Sequence, residues 1–213
     1  MTEPAASSWN RRDFIGGAAL LALALGVPIT AIQLSDLNPD EAPSQRQRQL
    51  LREVSQLVLP RTGTPGAGDV GVGDFVILAF AHGLEGTRAP GASAGMPQLS
   101  RHTRPDGSLR YIDWLESELD RRSNGDFLHR TSTDRAATLA ALDAEAYPPG
   151  PSPEHPSPWQ KLKALILTGY YTTDAGGAQE LRYELVPGRW DPDLPLKPGD
   201  RAWSSDWTAV DFG

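Results

Sequence analysis

The chain has no cysteine, and that absence excludes thiolate-held metal, iron–sulfur clusters and covalently attached c-type haem from it. Disulfides are excluded too, so stability has to come from packing, from a partner, or from both. Positive charge is also short: 20 Lys and Arg against 27 Asp and Glu leave a net charge of -7. Nothing supplies a basic stripe for a phosphate backbone, which argues against nucleic acid as a partner. Apolar residues make up only 39% of the chain, which carries 21 glycines and 19 prolines among its 213 residues. Much of it is therefore expected in loops and extended coil. The four histidines, His82, His102, His129 and His155, form no i, i+4 pair and no H-x-x-E spacing, so no metal site is expected.

What the chain does have is a marked beginning. Asn10-Arg11-Arg12-Asp13-Phe14-Ile15 leads into a Gly/Ala/Leu run without charge through Ile32. Paired Arg11 and Arg12, the hydrophobe Phe14 and a mildly apolar core form the twin-arginine export pattern, which a translocase reads on proteins already folded. The plainer alternative is an ordinary secretory signal, which needs neither Phe14 nor the low hydrophobicity of Gly16-Gly17-Ala18-Ala19. The uncharged stretch approaches the ~20 residues that span a bilayer, and Ala24-Leu25-Gly26 offers a small-x-small cleavage site. Cleavage and retention as an anchor both stay open. Residues 1–34 are expected to be this signal, placing the protein in the periplasm or on the outer face of the cytoplasmic membrane. They contain Glu3, Asp13, Arg11 and Arg12, two charges of each sign, so the remainder keeps the whole -7.

Residues 35–43 read as a polar linker, and 44–186 as a domain of mainly α class, small and irregular, with long loops. Ser44-Gln45-Arg46-Gln47 is a capping box. Leu50, Leu51, Val54, Leu57 and Val58 fall on one face of the helix it opens, which Pro60 closes. Asp74 is expected to cap a second helix from Phe75 to His82, apolar nearly all round and therefore central. Gly83 to Gly107 reads as one long irregular loop. Ile112, Leu115 and Leu119 mark a third helix, with Asp113, Glu116 and Asp120 on a solvated opposite face. Ser132 or Thr133 starts an alanine-rich fourth helix ending near Tyr147. Ser157-Pro158-Trp159-Gln160 reads as a second capping box, opening a helix with Trp159, Leu162, Ile166 and Tyr170 on one face and Leu167 and Tyr171 on another. From 187 to 213 the chain becomes an extended, Pro-rich tail. It holds Trp190, Trp203 and Trp207, half of the six tryptophans.

Two motifs suggest chemistry. Gly66-Ala67-Gly68-Asp69-Val70-Gly71 matches G-x-G-x-x-G, but a dinucleotide site needs a strand running into the first glycine. Here a helix precedes it, and a tight turn is the plainer reading. Gly91-Ala92-Ser93-Ala94-Gly95 matches the nucleophile elbow, which needs a strand-to-helix turn that Pro90 and Pro97 do not favour. A periplasmic serine hydrolase using Ser93 and a stand-alone exported binding module remain the rival readings.

The C-terminal third carries a resemblance. Ala164-Leu165-Ile166-Leu167-Thr168-Gly169-Tyr170-Tyr171-Thr172-Thr173, then Gln179-Glu180-Leu181-Arg182-Tyr183-Glu184, then Val186-Pro187-Gly188-Arg189-Trp190 resemble the gluconate 2-dehydrogenase subunit 3 family. Trp203-Ser204-Ser205-Asp206-Trp207 and the turn Thr64-Pro65-Gly66-Ala67 fit the same pattern, although Gly63 stands where an acidic residue is common. The resemblance implies a small subunit with no catalytic residue, cofactor or metal of its own. It implies a large FAD-containing partner of the glucose–methanol–choline type, whose export the twin-arginine signal serves, and often a third, cytochrome c subunit carrying haem c. Tyr170, Tyr171, Arg182, Tyr183, Trp190, Trp203 and Trp207 are expected to shape the partner-facing or tail-docking surface.

Overall fold

The computed structural model describes residues 34, 37, 41–91, 96–150, 156–184, 193, 195 and 197–204. The chain divides into two units, Met1–Ala42 and Pro43–Gly213. The export residues Arg11, Arg12 and Phe14 fall outside the described residues of the first unit. Among the described residues no helix is long and apolar enough to cross a membrane.

The second unit is mainly helical. Helix α1 (Gln45–Val58) starts at the predicted capping box. The Ser44 hydroxyl accepts from the Gln47 amide at 3.1 Å, and the Gln47 side chain accepts from the Ser44 amide at 3.0 Å. Its buried face is Leu50, Leu51, Val54 and Ser55. Helix α2 (Val72–Ala81) begins three residues earlier than the sequence suggests, because Gly71 at φ +80° caps it and no side chain does. Asp74 sits instead in the first turn, where its negative charge suits the helix N-terminus, and it receives Arg48 of α1 at 3.1 Å.

Helix α2 is the centre of the unit, packed between α1 and α5 (Pro158–Tyr171), and it buries Val72, Val76, Ile77, Ala79 and Phe80. Two glycines set its distances. A Cβ at Gly73 would lie 2.8 Å from the Arg52 amide nitrogen of α1, and one at Gly169 of α5 would lie 2.6 Å from the Phe75 ring. A methyl group at either place would force its neighbour to move, so both neighbouring helices approach α2 closely.

Residues 83–91 and 96–107 are more ordered than a featureless loop. Two 3-10 turns, Leu84–Gly86 and Pro97–His102, and an antiparallel bridge between Thr103 and Leu109 bury Thr87, Leu99 and His102. Helix α3 (Tyr111–Arg122) buries Tyr111, Trp114, Leu115 and Leu119. Helix α4 (Ser132–Ala146) is capped by Thr131, one residue before the expected start. The second predicted capping box is only half formed. Ser157 accepts from the Trp159 amide at 3.3 Å, while the Gln160 side chain donates to the Ala146 carbonyl at the end of α4.

Candidate docking surface

The end of α5 turns sharply. The Thr173 hydroxyl donates to the Tyr170 carbonyl at 2.7 Å and accepts from the Gly176 amide at 3.1 Å. This starts a π-helical segment, Asp174–Glu180, with Gly176 seated against the Tyr170 carbonyl and Gly177 against that of Tyr171. Tyr170 is 1% exposed, so its ring belongs to the interior. Its hydroxyl lies 2.9 Å from the Pro65 carbonyl and 2.5 Å from the Glu180 carboxylate. Burial, reinforced by Glu180, raises its pKa. Tyr171 stands edge-on to Tyr170, with ring centroids 5.3 Å apart, and is 37% exposed.

Beyond the π-helical segment, β1 (Arg182–Tyr183) pairs in parallel with β2 (Trp203–Ser204). The Arg182 amide donates to Ala202 at 2.8 Å, and the Glu184 amide donates to Ser204 at 2.9 Å. Arg201 locks this return of the chain: its guanidinium donates to the Ala178 carbonyl at 2.6 Å and to the carbonyls of Leu181 and Glu180. Residues 201–204, within the expected extended tail, are therefore paired to the chain's own domain. The Arg182 guanidinium lies 4.2 Å from the centroid of the Trp203 ring, which is 46% exposed. The structure thus brings Arg182 and Trp203 together and separates them in burial from Tyr170. The Tyr183 side chain, Trp190 and Trp207 lie outside the described residues, as do Ser93 and His155. Arg201 carried no signal in the sequence, because periodicity says nothing about which carbonyls a distant side chain can reach.

Elsewhere the charged groups are arranged for structure. The acidic face of α3 is not simply solvated. Arg46 of α1 donates to Glu116, to Asp120 at 2.8 Å and to Asp126 at 3.0 Å, and Gln47 donates to Asp113 at 2.8 Å. Burial opposes the Arg46 charge, yet its bonds to Glu116, Asp120 and Asp126 outweigh that and raise its pKa. Burial also opposes ionisation of Asp126, but the Arg46 bond and the Leu128 amide hold it below the usual carboxylate range. A cleft of about 190 Å³ between α1, α4 and α5 is lined by Leu57, Val58, Leu139, Ala140, Trp159 and Lys163. At its edge Asp143 accepts from Trp159 and Lys163, each at 2.7 Å.

The G-x-G-x-x-G stretch follows α1 without any intervening strand and folds on itself, the Gly66 amide donating to Asp69 at 3.0 Å. His82 is exposed. His129 meets Asp126 at 2.9 Å. His102 is buried and accepts from Arg101 at 3.0 Å; burial, then Arg101, lowers its pKa. Among the described residues no three His, Cys, Asp or Glu side chains are placed to hold a metal ion.

A family model described as gluconate 2-dehydrogenase subunit 3 matches residues 45–188. This span runs from the first residue of α1 past β1. No curated protein and no solved structure matches the chain.

Proposed function

The chain belongs to the gluconate 2-dehydrogenase subunit 3 family, and from that premise we propose that it is the non-catalytic small subunit of an FAD-dependent dehydrogenase complex. In this reading it docks on a large flavoprotein of the glucose–methanol–choline type, supports its maturation and remains bound to it. Flavin chemistry belongs to the partner, and a cytochrome c subunit passes the electrons on. Arg11, Arg12 and Phe14 address the assembled pair to the twin-arginine translocase, so the complex works in the periplasm or on the outer face of the cytoplasmic membrane.

The observation that carries the reading is the family match across 45–188. Two features support it. Tyr171 and Trp203 keep 37% and 46% of their surface exposed, and aromatic residues of this kind supply much of the binding energy at protein interfaces. The twin-arginine pattern also gains a purpose, since an already folded, FAD-loaded partner has to cross the membrane intact.

Co-expression tests it. The large subunit produced with this chain is expected to carry more FAD and to reach the periplasm. Changing both Arg11 and Arg12 to lysine should strand the dehydrogenase activity in the cytoplasm, although the substitutions lie on another chain. Equal flavin content, yield and export with and without this chain would overturn the proposal.

A further inference from the structure

We propose that the Arg182–Trp203 cation–π pair anchors a carboxylate side chain of the flavoprotein partner; this rests on the accessory-subunit reading above. Eight of the fourteen described arginines are already matched to acid: Arg46, Arg48, Arg61, Arg88, Arg110, Arg121, Arg122 and Arg135 each form an ion pair. Arg182 does not. Among the described residues no carboxylate meets it, and Glu184, two positions on, makes no ion pair with it. Its side-chain contact is with the Trp203 ring, 4.2 Å away, on a chain with a net charge of -7. An exposed cation that meets no carboxylate among the described residues, on so acidic a protein, is complementary to acid supplied from outside.

The chemistry of the pair favours that occupant. A guanidinium carries five N–H donors in a planar fork, and the contact with the indole satisfies none of them with an oxygen acceptor, so a forked pair of bonds to a carboxylate can still form. The indole also fixes the arginine before binding, so less side-chain freedom is lost on contact. The platform itself is held from beneath. Arg201 ties the β2 end to the carbonyls of Ala178, Glu180 and Leu181, and the parallel pairing sets Arg182 opposite Trp203. Arg201 is thus a positioning residue, while Arg182 and Trp203 make the contact.

The test uses the full chain and the FAD-loaded large subunit that co-purifies with it, with affinity measured across a salt series. Arg182→Gln is expected to weaken binding about tenfold at low salt and to flatten the salt dependence, as loss of an interfacial ion pair should. Arg182→Lys should restore part of the salt dependence but not the full affinity, because an ammonium lacks the fork. Trp203→Leu and Arg201→Gln should weaken binding while leaving the salt slope nearly intact. Binding of Arg182→Gln within twofold of wild type, with an unchanged salt slope, overturns the inference and leaves the accessory-subunit reading standing. So does an outcome in which Arg182→Gln loses only binding to anionic phospholipid vesicles. If no flavoprotein co-purifies with the wild-type chain, the accessory-subunit reading fails first and this inference with it.

Discussion

The Tyr170 hydroxyl has one proton and lies near the Pro65 carbonyl at 2.9 Å, the Glu180 carboxylate at 2.5 Å and the Thr64 hydroxyl at 3.4 Å. It joins three segments that are distant in sequence: the turn after α1, the end of α5 and the π-helical segment. Tyr170→Phe keeps the ring and removes the hydroxyl that donates to those carbonyl and carboxylate oxygens. Leaving polar groups unmatched in a part-buried site costs about 1–3 kcal/mol, so the variant should unfold at lower urea, with the transition slope unchanged. The sequence located Tyr170 on the apolar face of α5 and among the family-like residues. Whether its ring pointed to a partner or inward was not readable, because a tyrosine suits both settings. Its neighbour Tyr171, one position later and therefore on another side of α5, is 37% exposed.

At the scale of elements, α2 is gripped on two sides by glycine contacts of different kinds. At Gly73 a methyl group would strike the backbone of α1, 2.8 Å from the Arg52 nitrogen; at Gly169 it would meet the Phe75 side chain at 2.6 Å. A backbone obstacle cannot rotate away and a ring can shift, so Gly73→Ala should lower the melting temperature more than Gly169→Ala. Overpacking of this sort costs about 1–3 kcal/mol, and a scan of both variants by circular dichroism would reveal the order. If Gly169→Ala proved the more damaging, the α2–α5 contact would be the stiffer of the two. Helix existence was legible from apolar spacing, and α1, α3, α4 and α5 begin within one or two residues of the expected positions. The start of α2 was misplaced because Gly71 caps it through a left-handed backbone. Asp74, a good capping residue by type, was free to sit one turn in and meet Arg48.

For the molecule as a whole, the Arg46 cluster is the main polar tie between α1 and α3. Arg46 and Glu116 are 70 positions apart, so no local pattern reports their meeting, and the α3 carboxylates read from sequence as a solvated face. Asp126 in this cluster and Asp143 under Lys163 both have folded pKa values held below the ordinary range, against the opposing effect of burial. Depressed carboxylates add stability above their unfolded value of about 4 and lose it as pH falls through the lower folded value. Acid should therefore destabilise the domain below about pH 4. Arg46→Met is expected to cost about 1–2 kcal/mol near neutral pH, after allowance for solvent screening. The difference from wild type should shrink as acid neutralises the carboxylates. Denaturant curves at several pH values check this, and a gap that stays constant down to pH 3 would contradict it. The sequence by itself determined the helical class, the caps at Ser44 and Ser157, the family-like blocks and the absence of thiol chemistry, because each follows from residue type and short spacing. Only the tertiary structure decided that Tyr170 is internal, that residues 201–204 return to pair with β1, and that Arg46 and Arg182 meet such different partners. Those outcomes depend on which distant surfaces come within a few ångströms, and chain order alone carries no such distances.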